Sequence, residues 1–124
     1  MSNKKPNKEL LLNNIIEGIE NVKGQDITIM DFSKLDNNIT DYFVICTGNT
    51  NTQVSAISDS VERTVKTNLH ERPWHVEGTD NSQWVLMDYI SIVVHIFQPE
   101  YREYYDLESL WGDVQTTQIP NVSA

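Results

Sequence analysis

The chain has little cysteine, few basic residues and no long apolar run, and each scarcity excludes a class of protein. Its one cysteine, Cys46, cannot form an internal disulfide or a cysteine-cluster metal site. Nine Lys and Arg stand against 18 Asp and Glu, for a formal net charge of −9. The basic cluster Lys4, Lys5 and Lys8 lies near a terminus, which disfavours nucleic-acid binding through phosphates. The charge favours a basic partner instead.

The apolar segments are also too short for a membrane protein. None approaches the roughly 20 residues of a spanning helix. The run from Leu10 to Leu12 is too short for the core of a signal peptide. We therefore expect a cytoplasmic protein without membrane contact. The length of 124 residues, with 39% hydrophobic and 22% charged residues, indicates one globular domain.

Hydrophobic periodicity predicts two substantial helices. The first has apolar residues at helical spacing from Leu11 to Val22 and stops at Gly24. The second follows Thr50 and Gln53, which stand in capping-box positions. Its apolar stripe consists of Val54, Ile57, Val61 and Val65. A shorter C-terminal helix is expected to start at Pro99. Asp106 is expected to cap a further helical turn.

Five short β-branched or apolar segments predict strands. They are residues 26–32, 41–47, 74–76, 84–89 and 91–97, the last two forming a hairpin. The fold class is therefore α+β, with a mixed five-stranded sheet and helices packed mainly on one face. We expect residues 1–6 to form a flexible arm, residues 7–113 a single domain, and residues 114–124 a flexible tail.

The two strands of this hairpin are apolar on both faces. Trp84, Leu86 and Asp88 share one side of their strand, while Val93, His95 and Phe97 share one side of the next. Two helices can cover one face of a five-stranded sheet, but hardly both. Part of the second face is therefore expected to be an exposed apolar patch, which usually marks a binding site.

Residues that could carry metal or thiol chemistry lack the required pattern. The histidines His70, His75 and His95 show neither HExxH nor i, i+4 spacing, so ordinary hydrogen-bonding roles are favoured. His75 and His95 could still meet Glu77 or Asp88 in space. Cys46 lies within an apolar strand, which favours a buried structural cysteine over a reactive thiolate.

Phosphate and two-metal chemistry also lack a signature. Gly48 links a strand to a helix start in "CTGNTNTQ", but a single glycine is neither a P-loop nor GxGxxG. The acids at the strand ends, Asp26, Asp31, Asp41 and Asp88, are common turn formers. No two acids lie two residues apart on one strand, as two-metal transferases need.

Aromatic residues crowd the C-terminal segment. They are Tyr101, Tyr104, Tyr105 and Trp111. Such residues form the hot spots of interfaces, although core packing explains some of them equally well.

The segment "EGTDNSQWVLMDYISIVVHIFQPEYREYYDLESLWGD" resembles the ribosomal silencing factor family, also called Iojap-like. "GQDITIMDF" and "TDYFVICTGNTNTQVSAISDSV" are similar to earlier blocks of that family. The resemblance covers about residues 10–113. It implies a nucleotidyltransferase-like topology without the catalytic signature, no enzymatic activity and no cofactor.

The resemblance also implies the partner. Family members bind the large ribosomal subunit through large-subunit ribosomal protein fourteen. They block association with the small subunit and repress translation under nutrient limitation, while organellar relatives help to assemble the large subunit. Asp88 is then expected at the rim of the apolar face, paired with Lys or Arg of the partner. Sequence-specific binding of nucleic acid is not expected.

Twelve positions are the predicted partner-binding residues. They are Trp84, Leu86, Asp88, Tyr89, Ser91, His95, Phe97, Arg102, Tyr105, Leu107, Leu110 and Trp111. One departure is notable: Ile90 and Ser91 stand where the family has Gly-Asp. Because isoleucine resists positive φ, we expect the turn to lose the family geometry.

Three alternatives remain open from the sequence. One is a role mainly in assembly of the large subunit. The second is a nucleotidyltransferase-like enzyme that uses Asp88 and the other acids at strand ends. The third is a homodimeric scaffold whose apolar face pairs with itself, and dimerisation is also compatible with the silencing role.

Overall fold

A computed structural model describes residues 7–36 and 38–122. The helices of this part are α1 (Lys8–Asn21), α2 (Asn51–Leu69), α3 (Pro99–Tyr105) and α4 (Leu107–Leu110). The strands are β1 (Gln25–Asp31), β2 (Tyr42–Thr47), β3 (His75–Glu77), β4 (Trp84–Asp88), β5 (Ile92–Phe97) and β6 (Gln115–Ile119). None of these helices combines the length and the apolar character that crossing a bilayer requires.

The strands form one mixed sheet in the order β3-β4-β5-β2-β1-β6. The central pair, β2 and β5, is parallel, with Tyr42 opposite Ile92 and Thr47 opposite Phe97. The other pairs are antiparallel. The predicted α+β class and mixed sheet are confirmed. The parallel pair requires a long crossover connection, which α2 supplies together with β3 and β4.

In the described part of the chain, the sheet has six strands rather than the predicted five. Residues Gln115–Ile119 pair with β1, placing Ile119 opposite Ile27. The expectation of a flexible tail over residues 114–124 is therefore wrong at these five positions, because they form a strand. Ile119 also packs against the core. The predicted arm of residues 1–6 lies outside the described residues.

Helices α1 and α2 cover one face of the sheet. Their buried side chains form the main core with the apolar side chains of β2, β4 and β5. The helices approach closely at Gly18, where an added Cβ would lie 2.7 Å from Val61 Cα. The Ser60 hydroxyl also donates a hydrogen bond to the Gly18 carbonyl at 2.6 Å.

The predicted caps have different outcomes. The Thr50 hydroxyl accepts a hydrogen bond from the Gln53 N–H at 3.0 Å, and Gln53 Oε1 accepts one from the Asn49 N–H at 2.8 Å. The capping role of Thr50 is confirmed. Asp106, by contrast, makes no side-chain cap hydrogen bond within residues 7–36 and 38–122. It adopts left-handed backbone geometry and ends α3 through its N–H, which donates to the Arg102 carbonyl at 2.9 Å.

Candidate partner-binding surface

The second face of the sheet, which is turned away from α1 and α2, is only partly covered by residues 7–36 and 38–122. Its covered part packs beneath α3, α4 and the residues that follow. The cluster there contains Met30, Phe32, Ile45, Phe97, Leu107 and Val114. Beyond it, Leu86, Asp88 and Val93 on β4 and β5 remain partly exposed. The second face is thus partly open, while an exposed apolar patch that binds a partner there stays a prediction.

Aromatic rings border this open region. Trp84 stacks on Phe97, with ring centroids 4.9 Å apart, and contacts Tyr105 at 4.7 Å. Trp111 packs edge-on against Phe43 at 5.3 Å. These rings attach the C-terminal segment to the sheet and leave Tyr105 44% exposed at the border. Such half-buried aromatic residues are typical interface anchors.

His95 lies beneath this layer and is 3% exposed. Its Nδ1 accepts a hydrogen bond from Trp84 Nε1 at 3.1 Å, while its Nε2 is buried and has no hydrogen-bond partner among the described residues. Burial lowers the pKa of His95 from 6.5 to about 4. His95 is therefore a neutral residue of the core at physiological pH.

The turn between β4 and β5 is closed by Asp88. Its Oδ1 accepts a hydrogen bond from the Ile90 N–H at 2.7 Å. Ile90 adopts φ of 75°, so the expectation that isoleucine would keep this turn out of positive φ is wrong. Asp88 is the last residue of β4 and is partly exposed, and its pairing with a partner stays a prediction. Its role as a turn former accompanies any role in recognition.

Arg102 makes its contacts within the chain. Its guanidinium donates to the Asp26 carbonyl at 2.6 Å and to the Thr47 and Thr28 hydroxyls at 2.9 Å and 3.0 Å. It also forms an ion pair with Glu108 at 2.7 Å. These contacts fasten α3 and α4 to the sheet, and the assignment of Arg102 to partner binding stays a prediction.

Four other predicted contact residues are buried. Tyr89 faces α1 and α2 and is 7% exposed, while His95, Phe97 and Leu107 lie within the cores. Burial raises the pKa of the Tyr89 phenol well above its ordinary value. In this chain these side chains pack within the cores, and their assignment to partner binding stays a prediction. The others are exposed or partly exposed: Trp84, Leu86, Asp88, Ser91, Tyr105, Leu110 and Trp111.

Two features of this surface are missing from the predicted contact residues. Val93, which alternation had placed on one side of its strand with His95, joins Leu86 on the open part. An apolar cleft of about 260 Å³ opens beside it. The cleft is lined by Phe32, Leu35, Asp36, Asn38, Ile39, Thr40, Phe43 and Trp111. No local pattern indicated the cleft, since it joins the β1–β2 loop to the C-terminal segment.

A larger, polar cleft of about 910 Å³ lies at the carboxyl ends of β2 and β5, the edge where nucleotides bind in many α/β proteins. Arg102 lies within it, but its guanidinium is engaged by Glu108. Asp26, Glu103 and Asp106 add further negative charge to the lining. The excess of carboxylates over free cationic groups in this cleft disfavours the binding of a nucleotide phosphate. It therefore also disfavours the alternative of a nucleotidyltransferase-like enzyme.

The other candidates for chemistry have structural settings. Cys46 is fully buried, and burial raises the pKa of its thiol to about 12, which makes it inert as a nucleophile. His75 forms an exposed pair with Glu77 at 2.7 Å. Among residues 7–36 and 38–122, no group of three or more His, Cys, Asp or Glu side chains could hold a metal ion.

Comparisons with known proteins agree on one family. The family model described as "Ribosomal silencing factor during starvation" matches residues 4–124. A ribosomal silencing factor of Chromobacterium violaceum is 41% identical over 100 residues, covering 78% of each chain. A mouse protein named "Mitochondrial assembly of ribosomal large subunit protein 1" is 39% identical over 77 residues, covering 58% of this chain and 32% of its own. A crystal structure of a Chromobacterium violaceum protein superimposes with a TM-score of 0.79 at 34% identity, covering 94% and 92% of the two chains.

Proposed function

The chain belongs to the ribosomal silencing factor family, and on this premise we propose that it binds the large ribosomal subunit and blocks association with the small subunit. Its contact would be the basic large-subunit ribosomal protein fourteen. Silencing of this kind requires no chemistry, because a bound domain obstructs the approaching subunit. We accordingly propose a regulator without enzymatic activity.

The half-covered second face is the observation that carries this proposal. Leu86 and Val93 present apolar surface at the open part, and Trp84 and Tyr105 border it with aromatic rings. An apolar centre with a polar rim is the usual anatomy of a protein interface. Asp88 supplies a carboxylate at the rim, and the chain as a whole has a formal net charge of −9. Both features suit a cationic partner.

Leu86→Lys tests the apolar centre. The lysine stem can lie along the open sheet, so the fold should survive, while the ammonium group repels a basic partner. We expect at least about a tenfold loss of affinity for purified large subunits, equivalent to about 1.4 kcal/mol. Inhibition of subunit joining in vitro should weaken in parallel. Leu10→Lys is the matched control, since Leu10 is 51% exposed on α1 and lies away from the second face. Equal inhibition by both variants would exclude this surface.

Asp88 requires a gentler change than alanine. Asp88→Asn keeps an oxygen that can accept the Ile90 N–H hydrogen bond and removes only the charge. If Asp88 pairs with a cation of the partner, affinity should fall by about 1–2 kcal/mol, and its dependence on salt should decrease. Unchanged affinity together with unchanged salt dependence would assign Asp88 to the turn alone.

A role in assembly of the large subunit is the second candidate, favoured by the name of the mouse relative. The two roles differ in their ribosome profiles. Deletion of a silencing factor increases the fraction of joined ribosomes under starvation. Loss of an assembly factor instead leaves immature large subunits during rapid growth. The same Leu86→Lys variant should reproduce whichever phenotype applies, because both roles use the same docking surface.

Self-association is compatible with either role, because a second copy could cover the open apolar region between encounters. Light scattering with and without the purified ribosomal protein tests this. A scaffold that only pairs with itself would remain dimeric at every concentration of that protein. We expect the added partner to shift the chain into a heteromeric complex instead.

A further inference from the structure

Ile90 occupies a conformation that its side chain disfavours. It adopts φ of 75°, in the left-handed region where the Cβ of an L-residue crowds the backbone and where a β-branched residue is an outlier. Burial does not compensate for this strain, because Ile90 is 64% exposed. Neither the backbone preference nor packing within the chain explains an isoleucine at this position.

The turn is held without help from the Ile90 side chain. The Asp88 carboxylate accepts the Ile90 N–H hydrogen bond, and the Thr40 hydroxyl donates to the Ile90 carbonyl at 2.9 Å. The N–H groups of Asp41 and Tyr42 donate to the Ser91 carbonyl at 2.9 Å and 3.1 Å. At positions 90 and 91, these bonds use only backbone atoms. A glycine at position 90 could make all of them with less strain.

The surroundings of Ile90 resemble the edge of a docking surface. The hydrogen bond from Thr40 brings the β1–β2 loop beside the turn, and the preceding residue, Ile39, is 97% exposed. Ile39 also lines the apolar cleft together with Leu35, which is 46% exposed. Leu35, Ile39 and Ile90 are called the apolar tip below. The cleft connects this tip to the second face through Phe43 and Trp111.

Charge at the tip indicates what chemistry would cover it. Asp36 lines the cleft beside Ile39, and Asp88 lies two residues before Ile90. An apolar group flanked by carboxylates matches a protein surface on which aliphatic side chains alternate with Lys or Arg. A lipid or nucleic-acid surface fits less well, because both are anionic and the chain carries a formal net charge of −9.

We propose that Ile90 is a specificity-determining contact of the docking surface, presented by the strained turn to an aliphatic side chain of the basic large-subunit partner. This inference rests on the proposed function. Strain in a single exposed residue is retained where the surrounding structure over-determines it, and such sites are often functional. The side chain therefore serves binding at the expense of stability.

Ile90→Gly separates the effect on stability from the effect on binding, because the substitution should raise stability and lower affinity. The variant should unfold about 4 °C higher than the wild type, since the strain is relieved. It should bind purified large subunits about tenfold more weakly, since an apolar contact is lost. Ile90→Leu, which keeps the apolar bulk, should bind more tightly than the glycine variant.

Lys23→Gly is the matched control. Lys23 is exposed and has φ of 63°, but it follows α1 at a distance from the second face. This variant should gain similar thermal stability and keep wild-type affinity. It thereby shows whether relieving backbone strain by itself alters binding.

The outcomes are distinguishable. If the wild type does not bind large subunits, the proposed function fails. If the wild type binds and Ile90→Gly binds equally well, the function stands and this inference is overturned. A lower unfolding temperature for Ile90→Gly would overturn the strain argument. Loss of self-association with unchanged affinity for the subunit would assign the tip to a second copy of the chain and also overturn the proposal.

Discussion

The Trp84 indole donates its Nε1–H to Nδ1 of His95. Trp84 pairs across the strands with Phe97, and His95 lies two residues before Phe97. This hydrogen bond requires Nδ1 to be unprotonated, so the neutral imidazole carries its proton on Nε2. That N–H is buried, and no acceptor for it lies in the part of the chain that the structure describes. The imidazole is thus fixed as a neutral group below the aromatic border of the second face, where a second proton is disfavoured.

Acid should therefore destabilise the fold through His95. The pKa of His95 is lowered from 6.5 to about 4, so between these values the unfolded chain binds a proton that the folded chain does not. Stability is present above pH 6.5 and falls as the pH drops toward 4, by up to about 1.4 kcal/mol per pH unit. Urea unfolding across this range measures the slope. His95→Asn should flatten it, whereas the exposed His75→Asn should leave the contribution of His95 intact.

Removing Arg102 should loosen the C-terminal segment. Arg102→Ala deletes hydrogen bonds to Asp26, Thr28 and Thr47 and leaves the partly buried Glu108 unpaired. We expect a loss of about 2–4 kcal/mol in the free energy of unfolding. Glu108→Gln should cost clearly less, because the other three contacts of the guanidinium remain. Similar losses for both variants would show that the ion pair alone fixes the segment.

The contact between α1 and α2 should not tolerate a side chain at Gly18. The added Cβ of Gly18→Ala would lie 2.7 Å from the backbone at Val61, so the helices must separate. We expect destabilisation of about 1–3 kcal/mol, as for other overpacked cores. Gly112→Ala is the control, because the nearest atom to its added Cβ is 3.8 Å away. Thermal unfolding of the two variants measures this difference in stability. Equal melting temperatures would contradict close packing of the helix pair.

Cys46 should be inert in the folded protein. It is fully buried and its thiol has a pKa raised to about 12, so thiolate is scarce at pH 8. A thiol reagent should label the native chain only at the rate of unfolding and should label it rapidly in urea. Fast labelling of the native state would mean that β2 opens locally. Cys46→Ser should abolish all labelling, which confirms the site of reaction.

The elements with strong periodicity were predictable from the sequence. The stripe from Val54 to Val65 determined α2, and the alternation in β4 placed Trp84 and Asp88 on one side of the strand. β6 was missed because "QTTQI" has no apolar alternation. As an edge strand it is fixed by its hydrogen bonds to β1 and by Ile119. Such pairing depends on a partner far away in the chain.

The candidate surface was only partly predictable. Alternation correctly placed Trp84, Leu86 and Asp88 on one side of β4, but the sequence did not reveal which face the long helices cover. The role of Arg102 was hidden for a similar reason, since its partners Asp26 and Thr47 lie 76 and 55 residues away. The conformation of Ile90 opposes its local preference, so only the surrounding hydrogen bonds explain it.

The outer position of β6 has a practical consequence for engineering this chain. A version shortened at Asp113 would expose the backbone N–H and C=O groups of β1, along with Ile27 and Ile29 at a newly open border. Unprotected strands of this kind readily recruit strands from neighbouring molecules. Affinity tags and truncations should therefore leave Gln115–Ile119 intact. If this strand is lost, we expect the purified protein to form aggregates that have no relation to its physiological association.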